Sequence, residues 1–73
     1  MYVIKCNNGC KPWWIADHIG DPGRTTILNN AKVFSTATAA RGRVARVIKN
    51  NPHRNLEGKL MVKLVEIKEV FVD

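Results

Sequence analysis

Apolar positions recur with a period of two near both ends of the chain and with a helical period in its middle. Tyr2–Cys6 (YVIKC) is a short β-type run, and residues 13–16 (WWIA) form a second. Asn7-Asn8-Gly9 stands between them. Asparagine and glycine tolerate the positive φ of tight turns, so the two runs predict a hairpin. Pro12 cannot donate to a ladder and belongs at the start or on the edge of the second strand. Residues 17–24 (DHIGDPGR) read as a loop built on the Asp21-Pro22-Gly23 turn. Residues 25–28 return to a β pattern, Asn29-Asn30 interrupts it, and residues 31–34 resume it. That stretch is one bulged strand or two short ones.

Residues 29–51 organise the rest, as a strand leading straight into a capped helix. Ser35 or Thr36 can cap it by accepting from the first free backbone amides. Ala37, Ala40, Val44, Val47 and Ile48 then fall on one helical face. Arg43, Arg46 and Lys49 fall on the opposite side, with Arg41 on a flank. Basic residues toward the C-terminal end also suit the helix dipole. Gly42 costs about 1 kcal/mol relative to alanine in mid-helix, which suggests the close approach of another backbone. Asn50-Asn51-Pro52 stops the helix.

Residues 53–59 form a polar connector, and residues 60–72 a long final β-type run. Leu60, Val62 and Leu64 share one face, whereas Val65 and Ile67 share the other. This change of phase predicts a bulge near residues 64–65, or a stretch buried on both faces. The order is β-β-β-α-β. It specifies an α+β fold of two layers, an antiparallel sheet with a single helix packed on one face.

Composition narrows the function classes. At 73 residues the chain is one domain, spanning 1–73, with no room for a deep cleft between two lobes. Twelve Lys and Arg against six Asp and Glu give a net charge of +6. On so small a domain that field favours nucleic acid, an acidic protein face or a lipid headgroup surface. No apolar run approaches the roughly 18 residues of a spanning helix, so no membrane partner is expected. Met1 leads directly into a strand pattern without the layout of a signal peptide, so an intracellular protein with reduced thiols is expected.

Candidate chemistry is sparse. Cys6 and Cys10 bracket the Asn7-Asn8-Gly9 turn and in a three-residue hairpin loop would face each other. Free thiols are the expectation, ahead of a disulfide or a metal site. Neither His18 nor His53 sits at a zinc-type spacing from a second ligand, so no metal or other cofactor is expected. Asp17 and Asp21 flank His18 and could orient its imidazole, but an ordinary polar loop explains them equally well. The DPGR segment has one glycine and no helix behind it, unlike a phosphate-binding loop. No catalytic residue emerges, and the protein reads as a non-enzyme.

Adjacent Trp13 and Trp14 on a strand point to opposite faces. One packs under the helix. The other is left near Lys5, Lys11 and Arg24, where it would stack on a base, anchor a protein or lie against a dimer partner. Arg41, Arg43, Arg46 and Lys49, extended by His53 and Arg54, form the most specific surface. A plain solvated face is the alternative reading. The dominance of arginine favours forked contacts to phosphate or carboxylate. The long apolar run of residues 60–72 exceeds what one helix can cover, so pairing into a homodimer through that strand or the sheet's bare face is expected.

Three features resemble the short proteins of bacteriophages and mobile elements. These are the opening strand of residues 1–5 (MYVIK), the aromatic second strand Trp13-Trp14-Ile15, and residues 31–36 (AKVFST) entering the alanine-rich stretch 37–40. Such proteins include anti-defence factors, among them anti-CRISPR inhibitors. The resemblance implies a viral protein acting in the bacterial host cytoplasm, a binding protein that inhibits or redirects a defence protein, host protein or ribonucleoprotein complex. Many inhibitors of that kind are acidic mimics of nucleic acid, whereas this chain is basic. The alternative expectation is a module that binds DNA or RNA directly with the same basic face and a tryptophan.

Overall fold

The computed structural model describes residues 1–7, 9, 11–18, 20 and 22–65. Four strands, β1 (Tyr2–Cys6), β2 (Trp13–Ile15), β3 (Arg24–Thr25) and β4 (Leu60–Leu64), form one antiparallel sheet in the order β3-β2-β1-β4. One helix, α1 (Ala37–Asn50), packs on the sheet. The two-layer α+β architecture expected from the pattern is therefore the one observed.

β1 is central. It sets Lys5 opposite Trp14 and Cys6 opposite Trp13 on one side, and pairs along its whole length with β4 on the other, from Tyr2–Leu64 to Cys6–Leu60. Strand neighbours directly opposite one another share a face. Tyr2, Ile4 and Cys6 thus face the helix, while Val3 and Lys5 face outward with Trp14, Met61 and Lys63. Ile4 is 0% exposed and Val3 only 2%, so the strand is buried on both sides. That explains its nearly unbroken apolar sequence.

The helix-side core joins Ile4, Cys6, Ile15, Phe34, Ala40, Val47 and Leu56. Tyr2, Trp13, Val44, Ile48, Leu60 and Val62 pack around it. The expected apolar face of α1 is the face that meets the sheet. Thr36 caps the helix, its hydroxyl accepting from the Ala39 amide at 3.1 Å. At the other end Asn51 is the cap: its amide donates to the Ile48 carbonyl and its side-chain Nδ2 to the Val47 carbonyl at 2.9 Å.

Several local expectations are corrected. The third strand stops at Thr25, because the Thr25 hydroxyl accepts from the Ile27 amide and draws the backbone out of the ladder. Leu28–Asn30 then forms a 3-10 turn. Of the resumed strand only a single bridge survives, Phe34 exchanging two 2.8 Å hydrogen bonds with Tyr2. Gly42 is approached by nothing: a Cβ there would enter open space. Gly23 is the glycine that needs bare backbone, since a Cβ there would overlap the Ala16 and His18 carbonyls.

The polar connector contains a core residue. Leu56 is buried between Asn55 and Gly58, which both adopt positive φ and turn the chain in and out again. No bulge appears up to residue 65. The β1–β4 register runs unbroken and the Val65 amide donates to the Met1 carbonyl at 2.9 Å. Leu60 and Val62 pack on the core, but Leu64 is 69% exposed, so that stretch is not buried on both faces either. The remainder of the expected final strand, residues 66–72, lies outside the described residues, as do Asn8 and Asp21 of the two expected turns.

Two substitutions separate these roles in urea unfolding. Gly42→Ala is expected to stabilise the protein by up to about 1 kcal/mol, since the helix gains and nothing clashes. Leu56→Ala is expected to destabilise it by about 2–4 kcal/mol as a core cavity opens. A destabilised Gly42→Ala protein would contradict the open environment of that site.

Candidate functional site

Capping at Thr36 and the burial of Ala40 and Val47 fix the rotation of α1 about its axis. That rotation directs Arg41, Arg46 and Lys49 to solvent, and the 3-10 turn Pro52–Arg54 adds exposed His53 and Arg54 beyond the helix end. Between the cations the face carries Thr38, Ala39, Gly42, Ala45 and Asn50, all exposed and none larger than asparagine. Among the described residues the carboxylates are Asp17 and Glu57 alone.

Arg43 departs from the expected arrangement. It is half-buried on the flank of the helix, its guanidinium carbon 5.7 Å from the centre of the Phe34 ring. Its Nη1 lies 4.0 Å from Asp17 Oδ1, and Lys32 Nζ lies 3.1 Å from Asp17 Oδ2. Asp17 therefore ties the segment entering α1 to the helix itself. Exposed pairs of this kind contribute at most about 1 kcal/mol each. Asp17 pairs with these cations, and His18 beside it is exposed.

The tryptophans separate as the strand geometry requires. Trp13 faces the helix, packed on the core, with the Arg24 guanidinium 5.8 Å from its ring centre and Arg24 Nη1 donating to the Pro22 carbonyl. Trp14 is on the outer face, half-buried, with Lys5 Nζ 5.9 Å from its ring centre. Lys11 is exposed in the β1–β2 connection. The residues singled out from the sequence are thus not one site. Arg41, Arg46, Lys49 and Arg54 form a ridge, Arg43 lies beside Phe34, and Arg24, Lys11 and the tryptophans belong to the sheet. The outward Lys5, between Trp14 and Met61, and Lys63 beside Met61 follow the alternation of the sequence and form a surface on the other side of the sheet.

Cys6 is a free, fully buried thiol. Its cross-strand neighbours are Trp13 and Leu60, so the connection from β1 to β2 covers residues 7–12 and is not a three-residue loop. Cys10 lies outside the described residues. Among the described residues no three His, Cys, Asp or Glu side chains gather to hold a metal ion, and no helix is long and apolar enough to cross a membrane. No family model, curated protein or solved structure matches the chain.

Burial pushes the Cys6 thiol above its ordinary value, and the Lys59 ammonium pulls it partly back. The unfolded thiol therefore ionises first as pH rises. Its contribution to stability is complete below the ordinary value of 9.0 and is lost as pH climbs through the folded value. In a Cys10→Ser protein, iodoacetamide should label Cys6 at least about tenfold faster in urea than in native buffer at pH 8. Equal rates would show that the thiol is not sealed in the core.

Proposed function

We propose that this is a non-enzymatic protein that binds nucleic acid, DNA or RNA, through the outer ridge of α1. Arg41, Arg46, Lys49 and Arg54 contact successive phosphates. The observation that carries this reading is the chemistry of the face: exposed cations separated only by small side chains. Protein interfaces draw most of their affinity from a few Trp, Tyr and Arg residues seated in well-packed pockets, and this ridge supplies the arginines without an aromatic residue. Attraction to phosphates needs none, because counterion release drives it.

A second reading rests on the opposite side of the molecule. Trp14 and Met61 lie on either side of Lys5 across the outer face of the sheet, with Lys63 next to Met61 along β4, so an aromatic anchor stands beside two cations. That arrangement suits docking on an acidic protein, and it agrees with the resemblance to phage-encoded anti-defence proteins that engage a host or ribonucleoprotein complex.

Fluorescence anisotropy with labelled oligonucleotides between about 50 and 200 mM salt tests both. Four phosphate contacts predict a log–log salt slope near −3, and Arg46→Glu/Lys49→Glu/Arg54→Glu should weaken binding at least about tenfold while flattening that slope by about 2 or more. Binding untouched by the triple reversal but lost in Trp14→Ala would move the contact to the sheet. An absence of binding at 50 mM salt would remove the nucleic-acid reading.

A further inference from the structure

Beside the basic ridge, between the second half of α1 and the loop joining β2 to β3, lies a cavity of about 130 Å³. Its apolar part consists of Ile15, Val47 and Pro22, all buried. Arg43, Arg46 and Asn50 supply polar groups. Asn51, 2% exposed, stands in its wall; Nδ2 is committed to the Val47 carbonyl, while Oδ1 is buried with no hydrogen-bond partner.

We propose that this cavity is a base pocket. A single strand whose phosphates follow Arg46, Lys49 and Arg54 turns one unstacked base into it. The inference rests on the nucleic-acid reading above and sharpens it, naming single-stranded nucleic acid as the partner. Arg46 belongs to both the ridge and the cavity, so a strand lying on the ridge passes the opening. Apolar walls with a few polar groups suit a planar base. A phosphate would gain nothing from Ile15, Val47 and Pro22, and the bases of a duplex stay stacked and out of reach. The edge of a base carries acceptors and donors together. The two guanidinium groups meet the acceptors, and the Asn51 carbonyl, unmet in the free protein, is the acceptor that the wall offers to an N–H of the same edge once the amide rotates away from Val47. A fully ionised phosphate offers acceptors alone. Arg43 lines the cavity, with its guanidinium beside Asp17 and Phe34.

The test compares a single strand with the duplex of the same sequence at one salt concentration. The proteins are the full chain and Asn50→Trp, which plugs the opening from an exposed position; circular dichroism checks that the variant folds. The single strand should bind about tenfold tighter than the duplex. Asn50→Trp should abolish that preference. In NMR spectra the Asn51 side-chain amide signals should shift with the single strand and not with the duplex. Equal affinity for the two, or a preference that survives Asn50→Trp with the Asn51 signals unmoved, overturns the base pocket and leaves the ridge intact. If neither form binds, both the pocket and the nucleic-acid reading fall.

Discussion

The structure depends on one strand being hydrogen-bonded along both edges. β1 takes β2 on one side, β4 on the other, and the Phe34 bridge at Tyr2 where β2 has already ended. A buried strand cannot leave amides or carbonyls unpaired without a large desolvation cost, so these partners are required by the burial of Val3, Ile4 and Cys6. The rest of the geometry follows. Pairing Phe34 with Tyr2 sets where the chain enters α1, and pairing Leu60 with Cys6 sets where it must return. The helix fills the distance between those two points, with Ala40 and Val47 toward the sheet.

The parts of the fold that could be read from the sequence are those written in local pattern. β1, β2, the Thr36 cap, the apolar face of α1 and its stop at Asn51 each follow from neighbours within a few residues. What escaped reading was decided by competition or by distant contacts. Thr25 has β propensity, yet its own hydroxyl ends the strand. Leu56 is one apolar residue in a polar run, and only the turns at Asn55 and Gly58 carry it inside. Gly42 invited a packing explanation, although the close approach occurs at Gly23, within a loop whose closure no periodicity reveals.

The basic ridge was written in local pattern too. Spacing placed four cations on one helix, and it also held the distinction among them. Arg43 stands three residues after Ala40 and four before Val47, beside the buried face, whereas Arg46 and Lys49 turn away from it. The result is a basic ridge on one side of the domain and a smaller basic, apolar patch around Trp14 on the other. Two faces of one thin sheet-and-helix sandwich are therefore available, and they differ in kind: one is driven by charge, the other by an aromatic anchor.

The pairing of β1 with β4 joins the first strand to be synthesised with the last in the described sheet. A nascent chain cannot pair the second edge of Tyr2–Cys6 until Leu60–Leu64 has been made. The domain therefore forms late and as a unit, through a contact of long sequence separation. A copy that ends before Leu60 keeps an apolar strand with one unpaired edge. That truncated species is the one that quality-control proteases or aggregation would remove.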